Sequence, residues 1–128
     1  MTVLLDTHTF LWFIAGHASL SDTARQRIED PSTERLLSVA SLWEMSIKAS
    51  LGRLQIRLPF PELVTQQVEG NGIRVLGIKP FHLEALRTLP FHHRDPFDRL
   101  MIAQALIEGI PILGKDRAFA AYPVTTIW

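Results

Sequence analysis

Four acidic residues, Asp6, Glu44, Asp98 and Asp116, fall where a chain of alternating strands and helices could bring their side chains to one edge. Repulsion among clustered carboxylates raises the cost of folding unless a cation neutralises them. Hard divalent cations want oxygen ligands, and magnesium typically takes a few carboxylates, keeps several waters and binds substrate phosphates. The chemistry that follows is hydrolysis of a phosphodiester, with metal lowering the pKa of the attacking water and stabilising the leaving oxygen. Taken singly, each acid has a plainer role. Asp6 and Asp116 could cap the helices that follow them. Asp98 could complete a capping box with Asp95, although glutamate or glutamine is the usual partner there. Glu44 could be a solvated helix residue paired with Lys48 at i,i+4. Only convergence of the four separates a site from a set of caps and ion pairs.

The elements that would position them can be read in order. Thr2-Val3-Leu4-Leu5 predicts a strand ending on Asp6, and a helix follows over Thr9–Ile14. Ser21-Asp22 caps a second helix to about Glu29, closed by Pro31. Leu36–Val39 is the next strand, and Ala40–Leu51 a helix carrying Glu44 in its first turns and ended by Gly52. After a linking segment, Pro61-Glu62 opens a helix to about Glu69, and Asn71-Gly72 turns the chain into a third strand, Ile73–Leu76. Lys79–Leu89 is a helix, and Pro90 starts the polar loop that ends at Asp95. Asp95-Pro96 is a strong helix start, because aspartate accepts the free N–H groups of the first turn and proline fits the first helical position. We assign Asp95 to that cap. From Phe97 to Ile107 the helix is apolar on nearly every side, which predicts burial on more than one face. Gly109 ends it, Pro111–Leu113 reads as a short buried strand, Asp116–Tyr122 as a helical turn or two, and Val124–Ile127 as a final strand. Short strands alternating with helices predict an α/β fold with a mostly parallel sheet of four to five strands covered on both faces. In such sheets the site lies at the carboxyl ends of the strands, where Asp6 and Asp116 are expected.

Composition sets further bounds. The 128 residues suffice for one domain, 1–128, with a core that needs no staples. Absence of cysteine excludes disulfides and zinc-thiolate sites and fits a reducing cytosol, and the apolar start, Met1 to Phe13, lacks a basic n-region and is broken by Asp6 in a run too short to cross a bilayer, so a soluble, cytoplasmic protein with no membrane segment is expected. Thirteen basic against thirteen acidic residues leave no bulk charge for holding nucleic acid, so any such binding needs local patches or metal. His92 and His93 precede the central helix. Their doublet spacing points the rings apart, which argues against zinc, and with Arg94 and Arg99 they are candidates for touching substrate phosphate. Trp12, Trp43, Phe81 and Trp128 are expected in the core rather than as base-stacking platforms.

The run LLDTH at the start, the glutamate in SLWEM, DRLMIAQA at Asp98 and GKDRAF at Asp116, taken in order and spacing over essentially the whole chain, resemble the PIN-domain ribonucleases, and within them the VapC-type toxins of toxin-antitoxin pairs. The resemblance implies a three-layer α/β/α sandwich and RNA cleavage, with Asp6, Glu44, Asp98 and Asp116 holding Mg²⁺ or Mn²⁺. It also implies a homodimer and a VapB-like antitoxin whose C-terminal segment covers the acidic groove. Gly114 departs from the pattern, since many relatives carry Thr or Ser there, and a hydroxyl that could support the metal shell is missing. Two other readings compete. A catalytically silent PIN-like module binding RNA or protein would be favoured if one of the four acids were replaced, and all four are present. A phosphotransferase of the haloacid dehalogenase type wants a second acid two residues after Asp6, where this chain has His8.

Overall fold

A computed structural model describes residues 1–128. Strand β1 (Thr2–Leu5) leads through Asp6 into helix α1 (Thr7–Ala15), and α2 (Asp22–Glu29) follows. Strand β2 (Glu34–Ser38) runs directly into α3 (Val39–Ser50). Helix α4 (Phe60–Leu63) continues as a π-helical stretch, Val64–Val68, and a 3₁₀ turn, Glu69–Asn71. Strand β3 (Ile73–Leu76), helices α5 (Pro80–Thr88) and α6 (Pro96–Glu108), strand β4 (Ile112–Leu113), a 3₁₀ helix over Arg117–Ala121 and strand β5 (Thr126–Ile127) complete the chain. The strands form one sheet in the order β3-β2-β1-β4-β5, and every pairing is parallel.

Alternation along the strands divides the core into two layers. Val3, Leu5, Leu37 and Leu113 face Phe10 of α1, Ala24 and Ile28 of α2, Met45 of α3 and Leu63 of α4. Leu4, Leu36 and Ile112 face Met101, Ile102 and Ala105 of α6, with Phe119 and Tyr122. Because successive side chains of a strand point to opposite faces, a short apolar run with no polar alternation is what a sheet buried on both sides requires. The result is the expected α/β/α sandwich. Helix α6 is buried continuously from Arg99 to Ala105, which accounts for its apolar character all round.

Three local expectations are corrected. The helix read from Pro61 to Glu69 is neither regular nor continuous: Thr65 returns its hydroxyl to Pro61 O at 3.0 Å, a back-bond that competes with the helical ladder where the chain turns π-helical. Strand β5 is confined to Thr126–Ile127. Trp43 and Phe81 are exposed, whereas Trp12 and Trp128 are partly buried and pack against the first core layer. On α3, Trp43, Ile47 and Leu51 recur at i,i+4 spacing on a face turned away from the sheet, so this helix is apolar on a second side.

Candidate active site

The sheet changes winding direction between β1 and β4, and a crevice opens at the carboxyl ends of such a strand pair. Asp6 leaves β1 at this point. Its main-chain N–H donates to Leu113 O at 3.0 Å, and the Thr9 hydroxyl donates to the same carbonyl at 2.8 Å, so the first turn of α1 is pinned to the end of β4. Asp6 occupies the N-cap position of α1, yet its carboxylate makes no capping hydrogen bond and is buried. Gly114 lies directly opposite: a Cβ there would come within 2.8 Å of the Asp6 Cβ. The glycine is what lets β4 approach β1 this closely, and the Thr or Ser of the family pattern could not be accommodated without a shift.

Asp116 follows two residues later and caps the 3₁₀ helix, accepting from Ala118 N at 2.9 Å through Oδ1 and leaving Oδ2 toward the crevice side. Asp6 and Asp116 line one cavity of about 250 Å³ with His8, Trp12 and Lys115. Asp95 makes the N-cap of α6, accepting from Phe97 N at 2.8 Å and Asp98 N at 3.3 Å, as its sequence position predicts. Asp98 is thereby relieved of capping, and its side chain remains 15% exposed in the first turn of α6. Glu44 is buried on α3, where Oε1 accepts the Thr7 hydroxyl at 2.9 Å and Oε2 accepts Lys48 Nζ at 2.6 Å. The i,i+4 pairing with Lys48 and burial near the other acids therefore both hold.

The acids sense one another. Burial pushes the Asp98 carboxyl up to about 8, and the charges of Asp95, Asp6, Glu44 and Asp116 add to the rise. Burial also raises Asp6 to about 6; His8 and the Thr7 backbone oppose that rise, and Glu44 and Asp116 add to it. Carboxylates following β1, on α3, on α6 and on the loop after β4 thus lie near enough to raise one another's proton affinity at Asp6 and Asp98. Oxygen donors from separate elements, costly to ionise together, fit a hard divalent cation.

One of the expected phosphate-binding residues is corrected. Arg99 is buried, and its guanidinium donates to Pro90 O at 2.9 Å and Leu89 O at 3.1 Å while covering the Phe91 ring. It ties the loop to α6 and is not available to substrate phosphate. The histidine doublet does diverge: His92 is exposed against the edge of Tyr122, whereas the His93 ring turns inward. His93 Nε2 lies 3.1 Å from Asp98 Oδ2 and 3.6 Å from Asp116 Oδ2, and the three residues place one donor atom each within 4.8 Å of one another. Thr7 was also missed; the signal was available, since a hydroxyl one residue after a strand-end acid is well placed to meet a following helix. Arg94 is exposed.

The chain is 33% identical over 132 residues to Ribonuclease VapC22 of Mycobacterium tuberculosis (strain ATCC 25618 / H37Rv), covering 99% of this chain and 98% of that protein. Its fold superimposes with a TM-score of 0.72 on a chain of the VapBC2 crystal structure from Rickettsia felis, bound to a DNA fragment from their promoter, at 11% identity and with 99% of this chain and 98% of that one covered. The PIN domain model matches residues 3–124, a span that runs from within β1 past β4 and holds all four acids, and by that match the chain belongs to the PIN domain family.

Proposed function

We propose that this chain is a metal-dependent endoribonuclease, the toxin of a toxin-antitoxin pair, and that residues 1–128 form a single PIN domain. The observation that carries the reading is geometric: Asp98 and Asp116, from separate elements, meet at His93 with one donor atom each within 4.8 Å, Asp6 lines one cavity with Asp116, and burial among these charges raises the Asp98 carboxyl. Kinship with a protein named as a ribonuclease gives the phosphodiester chemistry its substrate class. Asp6, Asp98 and Asp116 would hold Mg²⁺ or Mn²⁺, with Glu44 beside them. Bound there, the cation supplies Lewis acidity, acidifying the attacking water and stabilising the leaving oxygen. The chain's own residues supply placement. Thr7 and Lys48 fix both oxygens of Glu44, and Thr9 sets the spacing between the ends of β1 and β4. Asp95 takes the capping duty that would otherwise engage Asp98. His92 and Arg94, exposed on the loop that leads into α6, are the groups able to meet RNA phosphate.

The partners follow from surface chemistry. The exposed Trp43, Ile47 and Leu51 stripe on α3 is apolar area of the kind a homodimer covers, and a VapB-like antitoxin would lie over the acidic crevice. No helix is long and apolar enough to cross a membrane. An RNA substrate of the kind its ribonuclease relative is named for puts its action in the cytoplasm. The test is RNA cleavage by protein freed of contaminating nuclease. Cleavage is expected with Mg²⁺ or Mn²⁺ and abolished by EDTA, and undiminished cleavage in EDTA would overturn the mechanism.

A further inference from the structure

The inward ring of His93 can be a further metal ligand or a donor to the carboxylates, and its other nitrogen decides between them. The Asp95 main-chain N–H donates to His93 Nδ1 at 3.1 Å, so Nδ1 offers a lone pair and, in the neutral ring, the proton resides on Nε2. A nitrogen that carries a proton cannot ligate a metal. The loop leaves little freedom to exchange the two roles. The main-chain N–H groups of His92 and His93 both donate to the Tyr122 hydroxyl, at 3.0 and 2.9 Å, and that hydroxyl donates to Pro90 O at 2.6 Å. Phe119 flanks the ring with centroids 6.4 Å apart. Nε2 is enclosed and has no aligned hydrogen-bond partner, yet the two oxygens nearest it belong to Asp98, on α6, and Asp116, on the loop after β4.

We infer that His93 is a positioning residue, an N–H clamp between Asp98 and Asp116 that holds two carboxylates from different elements at the separation a divalent cation requires. The inference rests on the metal site proposed above. It assigns to His93 neither a ligand bond nor a contact with RNA. A small rotation of either carboxylate toward Nε2 completes the bond, and both oxygens then keep their second lone pair for the cation. Partners that orient metal-binding carboxylates from outside typically change affinity by about 10- to 100-fold when removed.

Two measurements test it. Long-range ¹H–¹⁵N spectra of the histidine rings in the wild type are expected to show His93 protonated on Nε2, both metal-free and with Mg²⁺. Titration with Mn²⁺, followed by electron spin resonance of the free ion, is expected to show His93→Leu binding about 10- to 100-fold more weakly. His93→Gln, which returns an N–H donor near the Nε2 position, should recover most of that loss. An Nδ1-protonated ring in the metal-free protein, loss of the Nε2 proton on adding Mg²⁺, wild-type affinity in His93→Leu, or equal loss in both variants would each overturn the clamp. If the leucine variant does not fold, the wild-type spectra decide alone. A wild type that binds neither ion defeats the metal-site reading instead, and the metal-free spectrum still decides the ring's role.

Discussion

Replacing Asp98 by asparagine separates a metal ligand from a cap by the sign of its effect. Asparagine is nearly the same shape and caps about as well as aspartate, so a capping residue should change little. Asp98 does not cap, and its carboxyl is moved from a usual 3.8 to about 8. Between those values the folded chain holds a proton that the unfolded chain has released, so stability falls as pH rises through the window. The penalty is absent below 3.8 and fully present above about 8. At about 1.4 kcal/mol per pH unit, the roughly three units from the unfolded value to neutrality set a ceiling of about 4 kcal/mol. Local relaxation and entry of water reduce this, and we expect metal-free Asp98→Asn to be more stable than wild type by on the order of 1–2 kcal/mol at pH 7. For a chain of this size that is a rise in Tm of roughly 4–8 °C. The gap should be near zero at pH 4 and widest at pH 8. Mg²⁺ should then raise the wild-type Tm by linkage and leave the variant almost unmoved, while RNA cleavage falls by orders of magnitude. Thermal melts across pH, with and without Mg²⁺, together with a cleavage assay on both proteins, contain the whole test. A gap independent of pH, with metal response and activity retained, would refute the role given to Asp98.

Three further outcomes are expected. Gly114→Thr places a side chain against the Asp6 Cβ, where a Cβ alone would stand at 2.8 Å; overpacking of about 1–3 kcal/mol and weaker Mg²⁺ binding should appear in melts and calorimetry, and an unperturbed variant would show that Asp6 has room to move. Arg99→Leu removes the donors to Pro90 O and Leu89 O; about 2–4 kcal/mol of stability should be lost in denaturant unfolding, while RNA affinity of the folded fraction, measured by anisotropy, stays at the wild-type level. Thr7→Val leaves Glu44 Oε1 without its hydroxyl donor; a loss of roughly 1–2 kcal/mol in the metal-free protein is expected from chemical denaturation, and no loss would mean that water replaces the hydroxyl.

Much of this architecture was legible because its signals are local. Asp95-Pro96 marks the start of α6 and Gly109 its end, since a cap, a proline and a left-handed glycine act within a turn or two. The strand-then-acid pattern at Leu5-Asp6 and the uninterrupted apolar run of β1 likewise state a two-sided strand ending at a crevice. What the sequence could not give is set by partners far along the chain. The position of β1 between β2 and β4 depends on pairings that no local pattern encodes. Arg99 reads as a surface cation until the carbonyls of Leu89 and Pro90 are seen to receive it. His93 looks like half of a polar doublet, although a ring accepting the N–H two residues ahead of it is a turn motif that fixes which way it faces. Trp43 was expected inside on hydrophobicity alone, but its neighbour Glu44 takes the inward position on α3.

The bond from the Thr9 hydroxyl to Leu113 O joins residues 104 apart in the chain, and the order in which a ribosome delivers them has a consequence for the cell that makes this protein. Asp6 and Glu44 emerge early and can meet as β1 pairs with β2 and Thr7 reaches Glu44, but Asp98 and Asp116 are not yet there to join them. Asp98 arrives only with α6, and the two-residue strand that carries the chain to Asp116 has no place to pair until β1 has waited through nearly the whole of synthesis. Contacts of such long sequence separation form late, since the intervening loop must be closed before they reward it. On the proposed reading, a nascent chain on the ribosome has no assembled set of four carboxylates, and cleavage is expected only after β4 has been released and docked.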